Sequence, residues 1–251
     1  MTDLTGKTAL ITGSARGIGK AIALRYAALG ANIVINYSGD TVNAERTLEE
    51  VRALGAEAIV IRADASDPQE LERLYAEALE RFGSIEIVVA NAGVELIDTP
   101  IVKTTEEQFD RLLAINVRGT FFTLQKAAKY VADDGRILYI GSSTTTSPVP
   151  GVGAYGSTKT GARYLIEVLA LELGHRGVTV NTILPTATEN AGVFTELADD
   201  SPMRAMMLTM RPIDGRLGRP EDVADAAEYF AGDLAAWISG QHLLVSGGAQ
   251  Q

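Results

Sequence analysis

Residues 7–30 read KTALITGSARGIGKAIALRYAALG, and the change of rhythm inside this stretch decides the fold. KTALIT (7–12) is a short apolar run with β-branched residues, the pattern of a buried strand. From Arg16 to Leu29 apolar residues recur at helical spacing, and Gly30 stands where a helix stops. Between them lies TGSARGIG (12–19), with glycines at 13, 17 and 19. A strand turning through glycines into a helix opens a βαβ unit. Gly13 permits the tight turn, Gly17 lets backbone approach a pyrophosphate, and Gly19 lets helix pack on strand. The helix N-terminus adds N–H donors and a positive dipole, with Ser14 and Ile18 in the same loop. The spacing G-x3-G-x-G differs from G-x-G-x-x-G, and a glycine-rich turn without a ligand is the alternative. The place of the cluster, between first strand and first helix, favours phosphate.

The alternation continues outward. Strand patterns occur at NIVINY (32–37), AEAIVIR (56–62), IEIVVA (85–90), GRILYI (135–140), VTVNTIL (178–184) and HLLVS (242–246). Helical patterns lie between them at 41–54, from Asp67-Pro68 to about Phe82, at 105–131, at 153–175 and after Arg219-Pro220. Strands alternating with helices of this length predict an α/β fold, a parallel sheet doubly wound by right-handed crossovers. Residues 186–217 break the rhythm and are expected to form a substrate lid. With no linker or repeat in view, residues 1–251 are expected to form a single domain.

Composition bounds the function. An apolar fraction of 46% with 22% charged residues is that of an ordinary globular chain. A net charge of −10 argues against nucleic acid, which needs clustered cations. There is no cysteine, so thiolate chemistry is excluded. No apolar run approaches the roughly 20 residues of a membrane span, and MTDLTGKTALITG has no basic leader. A cytoplasmic enzyme or binding protein, without membrane or nucleic-acid partners and without a metal, is the expectation.

Open α/β sheets bind ligands at the carboxyl ends of their strands. There Asp64 and Ala65 follow the third strand and Asn91-Ala92-Gly93 the fourth. Asp64 could accept from an adenine amino group, and Asn91-Ala92-Gly93 could let a ribose approach the backbone; all are also ordinary loop residues. The second strand ends in Asn36-Tyr37-Ser38, with no acid before Asp40. An acid there would repel a 2′-phosphate, whereas Arg16 could pair with one. NADP(H) is therefore expected over NAD(H), with Arg16, Tyr37 and Ser38 at the ribose; an exposed loop cation is the plain alternative for Arg16.

In AYGSTKTG (154–161), Tyr155 and Lys159 stand one helical turn apart and share a face. Alone, that is a solvated helix face. Together with TGSARGIG, Asn91-Ala92-Gly93, Asn116, and Ser142 thirteen residues before Tyr155, the chain closely resembles the short-chain dehydrogenase/reductase family, over its whole length and in order. The likeness is to 3-oxoacyl-carrier-protein reductases and carbonyl reductases. It implies a Rossmann-like sheet of seven strands in the order 3-2-1-4-5-6-7 and interconversion of a ketone with a secondary alcohol by hydride transfer. Tyr155 would be the general acid/base, its phenolate favoured by Lys159. Ser142 would orient the carbonyl oxygen, Lys159 would also hold the ribose, and Asn116 would anchor a water relay.

The run Pro185-Thr186-Ala187-Thr188 lacks the glycine that family places after its proline, and Thr188 is the candidate for the carboxamide. Met203, Met206, Met207 and Met210 recur at helical spacing in the lid, suiting either an adaptable apolar pocket or simple seating of the helix. By the same likeness Leu96, Val149, Val152 and Phe194 lie nearby, and the helices at 105–131 and 153–175 pair subunits into a homotetramer. An NAD-dependent alcohol or sugar dehydrogenase, a catalytically silent dinucleotide-binding protein and a methyltransferase are the competing readings. The last gives Tyr155 and Lys159 no task. His175 and His242 read as structural or surface residues.

Overall fold

Strands β1 (Thr8–Ile11), β2 (Asn32–Tyr37), β3 (Ala58–Arg62), β4 (Ile87–Ala90), β5 (Arg136–Ile140), β6 (Thr179–Pro185) and β7 (His242–Val245) pair in parallel in the order β3-β2-β1-β4-β5-β6-β7. This computed structural model describes residues 2–196, 198 and 200–249. The sheet and its order are those expected.

The central strands β1 and β4 read as nearly unbroken apolar runs because both faces are covered. In β1, Ala9 and Ile11 point into one core and Leu10 into the other. In β4, Ile87 and Val89 share the first core, while Val88 and Ala90 join the second. Helices α1 (Gly17–Ala28), α2 (Thr41–Ala53) and α8 (Pro220–Ala231) seal the first face with Ile22, Tyr26, Val51, Val223 and Phe230. The Tyr26 hydroxyl, fully buried, donates to the Ala227 carbonyl at 2.9 Å, so its burial leaves no orphaned group. Helices α3 (Pro68–Phe82), α5 (Thr120–Tyr130) and α6 (Gly153–Leu173) cover the second face with Leu71, Leu74, Leu124 and Ile166.

Local chemistry sets the helix starts. Asp67 accepts from the Gln69 and Glu70 N–H groups ahead of Pro68, and Asp40 caps α2 through Asn43 N–H. Helix α4 (Glu106–Leu112) opens on a Thr105–Gln108 capping box. Helix α1 differs: no side chain caps it and its first turn carries no acid.

One expected element is divided. The helix read over 105–131 is α4, then a π-helical stretch Leu113–Gly119, then α5. The widened turn carries Asn116, wholly buried, whose amide pairs both ways with the backbone of Val94, accepting from its N–H at 2.9 Å and donating to its carbonyl at 2.8 Å. It also donates to Thr158 Oγ1 at 3.1 Å. Such widened turns serve side chains that a regular helix would aim elsewhere. Segment 186–217 holds a 3₁₀ turn, Gly192–Glu196, and one further α-helix, α7 (Pro202–Thr209), none of whose residues is buried.

Candidate active site

A cleft of about 1020 Å³ opens at the carboxyl ends of the strands and runs from Arg16 and Tyr37 across to Ser142, Tyr155 and Met206. Its cradle is built by side chains that tie strand ends together. Thr12 Oγ1 accepts from the N–H groups of Asn91 and Ala92, both at 3.0 Å. Asn91 Nδ2 donates to the Thr12 and Gly13 carbonyls. Asn36, 1% exposed after the apolar run Ile33–Ile35, accepts from Gly13 N–H and donates to the Ile61 and Ala63 carbonyls. These bonds bind β1, β2, β3 and β4 into one floor.

The glycines suit a phosphate group. Gly13 lies at φ +63° with the Ala92 Cα 3.0 Å from where a Cβ would sit. A Cβ on Gly19 would stand 2.6 Å from both Gly13 O and Asn91 Nδ2. Gly17, at φ +58°, opens α1, whose first turn no side chain caps and whose first residues, Gly17 and Ile18, line the cleft. Side chains there would strain the turn or collide with the protein's own loop, so the glycines let that loop stay tight with its backbone bare for a pyrophosphate, and the residues present fit a dinucleotide.

Of the expected contacts, Gly13, Arg16, Gly17, Ile18, Tyr37, Ser38, Asp64, Ala65, Asn91, Ala92, Gly93, Pro185 and Thr188 line this cleft. Gly19 does not, acting through packing. Ser14 does not either: it is fully buried, its hydroxyl donating to Ile11 O at 2.8 Å and accepting from Asn36 N–H. Its place is under the loop, because its side chain completes the β1–β2 join. Thr188 is 3% exposed and donates to the Thr186 carbonyl, leaving its oxygen as an acceptor. Asp40 lines the ribose end, but its carboxylate is engaged by the Asn43 N–H and side-chain amide.

Tyr155 and Lys159 leave α6 on one face, each 4% exposed. The Lys159 ammonium donates to the Ile140 carbonyl at 3.3 Å and lies 6.0 Å from the Tyr155 ring centroid. It also faces the Tyr139 ring at 5.2 Å. Ser142 Oγ accepts from the Thr144 hydroxyl at 3.0 Å and from the Thr144 N–H, which leaves its own proton to donate, and it lies near enough to the Tyr155 phenol to pull that group's pKa down. Asn116 lies beneath the cleft and does not line it. It meets Lys159 at Gly93, where an added Cβ would lie 3.1 Å from Lys159 Nζ and 3.3 Å from Asn116 Oδ1.

The electrostatics correct one expectation. Burial pushes the Tyr155 phenol well above its ordinary value, the Glu95 carboxylate pushes it further, and only neighbouring Ser142 pulls it down. The net shift is therefore away from the phenolate, even with Lys159 beside the ring. Burial lowers the lysine itself to about 8, opposed by Glu95, because a desolvated ammonium is a reluctant cation.

Glu95 and Arg211 line the cleft without having been expected there. Glu95 accepts from Val193 N–H at 2.8 Å and so holds the segment after Thr188 across the opening. Its place, two residues past Asn91-Ala92-Gly93, was the available signal; Arg211 offers none in sequence. Met203, Met206, Met207, Met210, Phe194, Leu96, Val149 and Val152 all line the cleft. Among the described residues no cluster of three or more His, Asp or Glu side chains could hold a metal, and no helix is long and apolar enough to cross a membrane. His242 pairs with Glu167 at 2.9 Å.

Comparison with known proteins agrees in extent. A family profile described as Enoyl-(Acyl carrier protein) reductase matches residues 13–250. A hydroxynaphthalene reductase-like protein of Metarhizium brunneum is 35% identical, covering 98% of this chain and 96% of its own. The short-chain dehydrogenase/reductase of Serratia marcescens superposes with a TM-score of 0.91 at 33% identity, 98% of each chain being covered. A short chain dehydrogenase from Burkholderia cenocepacia in complex with NADP gives 0.90 at 33%, again with 98% of each chain covered.

Proposed function

The chain belongs to the short-chain dehydrogenase/reductase family, and from that premise we propose that it is an NADP(H)-dependent reductase of ketones, with Tyr155 as general acid. The observation that carries this reading is that Ser142, Tyr155 and Lys159, all buried, line one end of a cleft whose other end is a glycine cradle.

The nicotinamide cofactor supplies the hydride when bound. This chain's residues place the rest. Gly13, Gly17 and the α1 N-terminus hold the pyrophosphate, and Asn91, Ala92 and Gly93 hold a ribose. Arg16 and Ser38 take the 2′-phosphate, Asp40 being engaged as the cap of α2. The Burkholderia relative's NADP supports this choice over NAD. Ser142 Oγ donates to the carbonyl oxygen and orients it. Tyr155 Oη, kept protonated by burial and by Glu95, delivers its proton to that oxygen as negative charge develops there. The Lys159 ammonium then stabilises the phenolate left behind. Segment 186–217 acts as a lid on what we take to be a single domain, with Glu95 latching it through Val193 and its methionines excluding water.

The hydroxynaphthalene in one relative's name and the methionine wall together favour a flat, apolar carbonyl compound. Exposed apolar side chains on α4, α5 and α6 and on the π-helical stretch between α4 and α5 (Phe109, Val117, Phe121, Tyr164 and Leu171) favour a homotetramer, which a solution mass would test. The reading as a whole is tested by following NADPH and NADH absorbance over a panel of aryl ketones, 3-oxoacyl thioesters and 2-enoyl thioesters. NADPH-dependent ketone reduction is expected. Turnover confined to the enoyl compounds, or none at all, would overturn it.

A further inference from the structure

Arg211 is a cation that the proton-transfer scheme leaves without a task. It follows α7, lines the cleft and is only 6% exposed. Nη1 donates to the Met207 carbonyl at 2.6 Å and Nη2 to Thr186 Oγ1 at 2.8 Å, while Nε is buried without a partner. Among the described residues no carboxylate pairs with it, and burial alone acts on its charge, pushing its pKa down. Arg216, five residues on, is by contrast ion-paired with Asp222 at 2.6 Å. A guanidinium buried without a counter-ion is costly to keep, since the charge loses hydration and gains nothing in return. A site whose ligand brings the missing anion accounts for it.

The position of Arg211 says which ligand. Its anchor Thr186 directly follows β6, the strand beside β5, after which Ser142 stands. The glycine cradle follows β1, three strands from β6, which at sheet spacing is about 14 Å; Arg16 and Ser38 lie at the β1 and β2 ends. Arg211 therefore sits near the reacting end, among Met207 and Met210.

We propose that Arg211 makes the methionine-lined end of the cleft a subsite for a carboxylate carried on an apolar substrate. A planar guanidinium with N–H donors left unpaired matches a carboxylate in geometry as well as charge, and the thioethers take the apolar body. The substrate class is thereby narrowed, within the reading as a ketone reductase, to aryl or polycyclic ketones bearing one acidic group.

The test is calorimetric and needs no turnover. 2-Naphthoate and its neutral counterpart 2-naphthamide are titrated into the enzyme with and without saturating NADP. Wild type is expected to bind the carboxylate about 10- to 100-fold more tightly, the range of one charge-assisted hydrogen bond. Arg211→Met should erase that preference, and Arg211→Lys, a point charge without the fork, should retain part of it. Should Arg211→Met fail to fold, the wild-type ratio and its reduction in Arg211→Lys decide. Equal affinities in wild type, or a preference surviving in Arg211→Met, would overturn the proposal. So would a loss of NADPH affinity without loss of NADH affinity in Arg211→Met, which would assign the guanidinium to the cofactor's phosphate. Failure of the carboxylate preference while neutral ketones are still reduced removes the subsite alone.

Discussion

The two ends of the cleft are built by different means. The cradle rests on buried polar side chains that are hydrogen-bonded to backbone: Thr12 with Asn91 and Ala92, Asn36 with three backbone groups, and Thr47 with the Ala15 carbonyl at 2.9 Å. The substrate end rests on α7, where no residue is buried; Glu95–Val193 ties its segment to the body, and Arg204–Glu189 at 2.5 Å and Arg211–Thr186 tie α7 to the start of that segment. The first end is rigid because satisfied buried hydrogen bonds admit one arrangement. The second, walled by thioethers, can repack around different ligands. An unvarying cofactor and a variable substrate call for that division.

The contrast breaks most sharply at Gly19. Replacing it with alanine drives a Cβ to 2.6 Å from Gly13 O and Asn91 Nδ2, and should cost about 1–3 kcal/mol, seen as a 10- to 100-fold loss of NADPH affinity in a fluorescence titration. Next in size, Arg16→Ala should weaken NADPH about tenfold while sparing NADH, as expected for a charge-assisted contact to one phosphate; equal losses for both would remove Arg16 from the ribose corner. At the seam between the ends, Lys159 at about 8 sets a pH limit. It is an ammonium below that value, so reduction should hold a plateau at lower pH, halve at about pH 8 and fall further above it, read from kcat/KM at saturating NADPH. The smallest effect belongs to the substrate end. Met206, 58% exposed, should lose less than about 0.5 kcal/mol of stability as alanine, while shifting the order of preference among ketones.

The same division explains what the sequence made legible. The cradle could be read because a strand, three glycines and a helix must occur in that order for a phosphate to approach the backbone, and each strand boundary fell within two residues of its expected place. Tyr155 and Lys159 were placed together by helical periodicity alone. The π-helical stretch around Asn116 was invisible because it depends on Val94 and Thr158, partners distant in sequence. The state of Tyr155 was misjudged for a related reason. A lysine one turn away suggests a lowered phenol pKa, whereas burial of both groups and the carboxylate of Glu95 exist only in the folded chain. Ser14, a loop residue by sequence, turns inward because Ile11 and Asn36 need its hydroxyl. Arg211 carried no local signal, since only the packing of α7 brings it to the cleft.

The central claim is that Tyr155 hands a proton to a ketone bound beside Ser142. It is tested most directly by Tyr155→Phe, measured for NADPH binding and for NADPH-dependent ketone reduction in the same preparation. The account predicts unchanged cofactor affinity with turnover lowered about 10²- to 10⁴-fold, the usual contribution of a positioned general acid. Turnover within a fewfold of wild type would contradict it.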